Sequence, residues 1–352
     1  MFEESLVCNI KYIMFIRFLS GFRQNYNSSM LCRLISILYP PIFSIFLITS
    51  IYCSFYITNI LYINCAILDY TMFVLIAFYT KDEYIYKVYR FMYGVDNLPG
   101  AKKIFNRMYF FLKSYMAYIF CIRLVLVILF CFNDYTWCFV NYPFAYSVNA
   151  INWITTDLGR FPIILVFSLF YCRTKLIRMT VDIESKAAIR DKYYVKKYIN
   201  MYESLVNSLD IINKPIKVMK DACYECMLWM CAMNDFPIIP RSIHRIPTQA
   251  GLANWSYVFI IVNITDPIVM MMGAAIVADL ISDEYNYLRT KFIEMRIHCN
   301  NERHRSGFKQ LQLLLENYPL RFCVLPNIPL TFSLFLCSIS FAIINVNLIA
   351  YA

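Results

Sequence analysis

The chain has 352 residues, of which 60% are hydrophobic and only 16% charged, with a mean hydropathy of +0.52 and a formal net charge of +10. Soluble domains carry about a quarter charged residues, so this composition excludes a soluble globular domain. The apolar residues fall in runs long enough to cross a bilayer, which implies an all-α polytopic membrane protein.

Residues 1–33 read as a cytoplasmic segment carrying Lys11, Arg17, Arg23 and Arg33. Glu3 and Glu4 stand where a secretory signal would be basic, so no cleaved signal is expected. From Leu34 to Tyr79 the only charged residue is Asp69. One span needs about 20 residues, so this stretch predicts two helices, 34–54 and 58–79. Pro40 and Pro41 predict a kink or a late start in the first. Further spans fit 114–132, 147–172, 257–281 and 328–350.

A fifth span at 222–240 is weakly apolar and carries Glu225 and Asp235, but charge parity requires it. The segment 173–220 holds eleven Lys or Arg against five acids, and 283–321 holds seven against five. Both belong on the cytoplasmic side, so an even number of crossings separates them. The stretch 80–113 is also basic, seven to three, whereas 133–146 has no Lys or Arg. Seven spans with the N-terminus inside and the C-terminus outside satisfy all of this. The regions 173–221 and 282–322 then become cytoplasmic helical loops. The sequon at Asn254 falls on the outer face as a glycosylation site, although Arg241 and Arg245 lie in the same loop.

The basic residues lie between apolar runs rather than in a continuous surface, which excludes nucleic acid as a partner. Seven glycines leave no room for a phosphate-cradling loop, and three histidines form no nucleophile triad, so no enzyme and no cofactor are expected. The fourteen cysteines sit mostly in apolar segments and read as buried thiols; the single CxxC, Cys223 to Cys226, has no second pair.

The orientation is opposite to that of a G-protein-coupled receptor. With its inside N-terminus, long cytoplasmic helical loops and a closing block in which a helix leads to Pro319-Leu320-Arg321-Phe322 and a final span, the chain resembles the insect gustatory receptors. The stretch TDLGRFPIILVFSLFYCRTKLIR and the following SLDIINKPIKVM are similar to moth and butterfly members. The family's last span usually ends in Thr-Tyr, five hydrophobic residues and Gln-Phe. That spacing falls here on Ile344-Asn345 and Tyr351-Ala352, and none of the four matches.

The resemblance implies a ligand-gated non-selective cation channel in the plasma membrane. It also implies homo- or hetero-tetramers with other gustatory receptors, the last helices lining the pore and small-molecule tastants, often bitter plant compounds, as ligands. In the last helix, Thr331, Ser338 and Asn345 form one row, and Ser333, Ser340 and Asn347 a second. These rows serve either hydrogen bonding between helices or a wetted pore in which Phe341 or Ile344 is the apolar constriction. Ser338, Phe341, Ile344, Asn345 and Tyr351 are therefore the candidate pore residues.

Apart from the weak fifth span and Asp279 at the inner edge of the sixth, five charged residues lie within spans: Asp69, Arg123, Asp157 and Arg160 near mid-membrane, and Asp266 nearer the outer end. Such residues either pair with one another, for example Arg123 with Asp69 or Asp157, or mark function. On the second reading they rim a ligand pocket walled by Tyr70, Tyr118, Trp153 and Tyr257. Two other function classes stay open: a secondary transporter coupling through the mid-membrane carboxylates, and an accessory membrane subunit without its own ligand.

Overall fold

A computed structural model of the chain describes residues 6–25, 29–54, 60–133, 143–233, 250–320, 322–325, 328–329, 331, 333 and 336. Ten helices account for most of these. They are α1 (Lys11–Leu19), α2 (Met30–Ser54), α3 (Ile60–Thr80), α4 (Glu83–Tyr89), α5 (Tyr93–Asp96), α6 (Ala101–Asn133), α7 (Pro143–Ala188), α8 (Lys192–Met233), α9 (Ala250–His298) and α10 (Glu302–Asn317). Two short strands, β1 (Cys323–Leu325) and β2 (Ile328–Pro329), pair antiparallel. The first two residues of the predicted span 328–350 belong to this hairpin, and of the rest only 331, 333 and 336 are among the described residues.

Local sequence signals set the helix ends. Ser29 Oγ accepts the backbone N–H of Cys32 at 3.1 Å and caps α2. Asp191 Oδ1 accepts the N–H of Tyr193 at 2.9 Å and caps α8. Pro143 opens α7, where its missing N–H costs nothing. The predicted late start of the first span does not occur, since α2 runs through Pro40 and Pro41.

Among the described residues, three helices are long and apolar enough to cross a membrane: Met30–Tyr52, Ala101–Val125 and Ala150–Ala188. This is the architecture of a multi-pass membrane protein. α2 turns a stripe of Ser36, Pro40, Ser44, Leu47 and Ile51 inward, at spacings of three and four. Its other faces expose Ile35, Leu38, Ile42, Ile45 and Phe46, a surface that suits lipid. α6 follows the same rule, burying Ala101, Phe105, Met108, Leu112, Met116, Ile119 and Arg123.

α7 is different. It packs against α1 to α6, α8 and α9, and 89% of its apolar window is buried. Its 46 residues extend about 69 Å, more than twice the hydrocarbon thickness of a bilayer. α8 with 42 residues and α9 with 49 are also single long helices. The predicted cytoplasmic loops are thus continuations of the predicted spans. There, amphipathic faces of α7, α8, α9 and α10 close a bundle. Tyr198 meets Phe292 at 5.7 Å between ring centroids, and the hydroxyls of Tyr202 and Tyr285 donate to the carbonyls of Tyr318 and Leu315.

Candidate functional site

Arg123 lies on the inward stripe of α6, one turn after Ile119, so helical spacing aims it at α7 rather than at lipid. There its Nε donates to Asp157 Oδ2 at 2.8 Å, and a terminal nitrogen lies 2.8 Å from the same oxygen. Arg160, one turn further along α7, stands 3.9 Å from Asp157 Oδ1. The guanidinium of Arg123 also lies over the Trp153 ring, 5.5 Å from its centroid. All three charged residues are buried and Trp153 is half-buried. Asp157 is thus held through Oδ2 by Arg123, while its buried Oδ1 has the Arg160 charge nearby but no hydrogen-bond partner. The cluster carries a formal charge of +1, with Trp153 as its aromatic wall.

The remaining predicted site residues do not all join it. Tyr70 is fully buried against the turn between α1 and α2, where its hydroxyl meets Ser44 Oγ at 3.1 Å and donates to the Ser20 carbonyl at 3.3 Å. Gly21 turns here with φ +87°, and a Cβ in its place would sit 2.6 Å from the Tyr70 hydroxyl oxygen. Tyr70 therefore fastens the N-terminal segment. Asp69 lies on α3, and Asn254, Tyr257 and Asp266 lie on α9; their side chains are outside the described residues. Asn254, predicted in a loop, is in the second turn of that helix. Ser338, Phe341, Ile344, Asn345 and Tyr351 also lie outside the described residues.

Two further ion pairs are buried more completely, and their cations come from segments whose Lys and Arg otherwise read as ordinary cytoplasmic charge. Arg17 of α1 donates to Asp82 at 2.9 and 3.2 Å and to the carbonyl of Leu158 on α7. Its guanidinium also covers the Phe22 ring, 4.4 Å from the centroid. Burial pushes the Asp82 carboxyl upward, against the pull of Arg17. Arg173 of α7 holds Asp96 through two bonds, of 2.8 and 3.1 Å, and donates to the carbonyls of Val88 and Arg90. The signal for Arg17 was present: it shares a helical face with Ile13, Met14 and Phe18. For Arg173 the signal was its place at the end of the run 161–172, which holds no charged residue.

These clamps bring the N-terminal segment and residues 82–96 onto α7 beside Asp157 and Arg160. Leu158, next to Asp157, meets Arg17, and Leu165 accepts from Tyr89 at 2.8 Å. The second half of the predicted span 147–172 is therefore wrapped by the N-terminal segment and by residues 82–96. Its hydropathy is that of a helix buried in protein on all sides. Gly159 permits part of this closeness, because a Cβ there would lie 2.8 Å from the Phe73 ring.

The Pro319-Leu320-Arg321-Phe322 block also docks on α7. Leu320 is fully buried, and the Phe322 ring lies 4.1 Å from Phe167 and 6.2 Å from Phe170, centroid to centroid. Arg321 is outside the described residues. Five described cysteines are free thiols; burial pushes that of Cys8 up to about 12.

The described helices thus form a membrane bundle whose long spans continue into a second, amphipathic bundle. Among solved structures, the insect olfactory receptor OR5 from Machilis hrabei is similar over 97% of each chain, with a TM-score of 0.70 and 10% sequence identity. The structure of that receptor in complex with eugenol is similar over the same shares, with a TM-score of 0.63 and 11% identity. The likeness is one of fold. No protein-family profile and no curated protein matches the sequence.

Proposed function

We propose that the chain is a gustatory receptor: a ligand-gated, non-selective cation channel of the plasma membrane that opens on small-molecule tastants of the bitter plant type. The observation that carries this reading is the fold likeness to an insect olfactory receptor along 97% of both chains. The gustatory assignment rests on the sequence resemblance, above all on Pro319-Leu320-Arg321-Phe322. That the olfactory receptor has been solved with eugenol supports a small organic ligand here.

In this reading seven spans run with the N-terminus inside and the C-terminus outside, and four subunits, identical or mixed, surround one axis. The last helix lines the pore, with Ser338 and Asn345 wetted, Phe341 and Ile344 constricting and Tyr351 at the outer mouth. Trp153, Tyr257 and Asp266 contribute to the ligand pocket with Asp69. Arg123, Asp157 and Arg160 form its charged floor, with Asp157 anchored to Arg123 through Oδ2. Tyr70 serves packing.

Calcium imaging of cells expressing the chain against a panel of bitter compounds tests the reading. A ligand-evoked calcium rise that needs no G protein is expected, with loss of current when Phe341 or Asn345 is replaced. Silence together with confirmed surface expression, alone and with other gustatory receptors, overturns it.

A further inference from the structure

The connection between α5 and α6 opens on a cleft of about 890 Å³. Its lining includes Asp96, Lys102, Lys103, Asn106, Arg107 and Phe110. The three cations are exposed, and no described carboxylate forms an ion pair with any of them. Asp96 does not neutralise them, because both of its oxygens are taken by Arg173 and one also accepts the backbone N–H of Met92 at 2.8 Å. The cleft therefore presents three uncompensated positive charges to whatever enters it.

The order of residues along α6 says what that is. Lys103, Arg107 and Phe110 follow one another at spacings of four and three, on the face opposite the buried stripe of Ala101, Phe105, Met108 and Leu112. Phe110 is 73% exposed, and Phe111 beside it is also exposed. Further on, Leu124, Val125 and Ile128 are exposed on the same helix. Lys113, exposed just beyond Phe110 and Phe111 with its ammonium over the Tyr109 ring, is the last exposed cation before the aliphatics. A band where cations and aromatics mix ahead of aliphatics is what a spanning helix shows at the headgroup level. A soluble phosphate would use the cations alone and leave Phe110 without a role.

We propose that this cleft binds the phosphate headgroup of an anionic membrane lipid, held by Lys102, Lys103 and Arg107, with Phe110 against the start of its acyl chains. The inference rests on the chain spanning a membrane with the 80–113 connection at the cytoplasmic face, where anionic lipids are concentrated. It does not require that the chain conduct.

The test uses the purified full chain and vesicles of phosphatidylcholine, with and without phosphatidylserine or a phosphoinositide, and soluble inositol trisphosphate as the headgroup without chains. Retained lipid is read by native mass spectrometry, so a channel that proves silent does not affect the result. The unmodified chain is expected to retain the anionic lipids over phosphatidylcholine. Each cation near a membrane surface strengthens anionic-lipid binding about fivefold, so Lys102→Gln with Lys103→Gln and Arg107→Gln is expected to weaken retention on the order of a hundredfold. The control pair Lys192→Gln with Lys196→Gln, exposed on α8, is expected to change nothing. Phe110→Ser is expected to weaken lipid retention while leaving any binding of inositol trisphosphate unchanged. Full retention by the triple variant overturns the site. Lipid retention that Phe110→Ser leaves intact, with equal binding of inositol trisphosphate, overturns the lipid assignment in favour of a soluble phosphate.

Discussion

α2 and α7 both carry apolar windows long enough for a membrane span, yet α2 has 28% of its window buried and α7 has 89%. The apolar side chains of α2 point mostly outward, with Phe46 65% exposed; those of α7 point into protein, with Phe161, Phe167 and Phe170 almost wholly covered. Hydropathy reports how apolar a helix is and not what covers it. The difference between the two lies in their partners. α2 has neighbours along one stripe, whereas α7 is surrounded, and where the N-terminal segment and residues 82–96 pack against it Arg17–Asp82 and Arg173–Asp96 keep buried charge paired.

Breaking a clamp on α7 should have the largest effect. Arg173→Ala leaves the Asp96 carboxylate buried without its cation and frees the carbonyls of Val88 and Arg90. A loss of about 3–5 kcal/mol is expected, read as a fall in the melting temperature of the detergent-purified chain. Survival of Arg173→Ala at the unmodified melting temperature would mean that residues 82–96 do not pack on α7. The next test sets the two helices directly against each other. Phe167→Ala, which empties a site stacked on Phe322, is expected to cost about 3 kcal/mol. Phe46→Ala on α2 is expected to stay within about 0.5 kcal/mol, since its ring has little protein around it. Equal losses at the two positions would erase the distinction.

The smallest effect concerns pH. Burial raises the phenols of Tyr198 and Tyr202 above the usual tyrosine value, and Glu184 beside Tyr198 pushes the same way. The folded chain thus holds these protons more tightly than the unfolded one. Their stabilising contribution is complete below about pH 10, the unfolded value, and is lost as the pH climbs past it. The melting temperature should begin to fall above about pH 10, and Tyr198→Phe with Tyr202→Phe should flatten part of that fall. An unchanged alkaline profile in the double variant would show that these phenols are not buried between α8 and its neighbours.

Much of this molecule was legible in one dimension. The helix ranges of α2 and α3 lie within a few residues of the predicted 34–54 and 58–79, because a bilayer demands apolar runs of fixed length. The pairing of Arg123 with Asp157 was one of the two partners that buried charge in adjacent spans allowed. Other features were not legible. Tyr70 reads as a free aromatic until Ser20, Gly21 and Ser44 are brought to it from 26 to 50 positions away.

Composition and the periodicity of apolar residues, by themselves, determined that this chain is helical, that it crosses a membrane, and which helix faces are apolar. These are local consequences of the cost of bare backbone in hydrocarbon. Only the tertiary structure decided that α7 is the shared axis and that Asp157 and Arg160 lie level with the N-terminal segment. It alone showed that Arg17 and Arg173 are interior clamps while Lys102, Lys103 and Arg107 have no ion pair among the described residues. Each of those outcomes depends on which distant carboxylate arrives beside a cation, and a charge has no way to announce its partner along the chain.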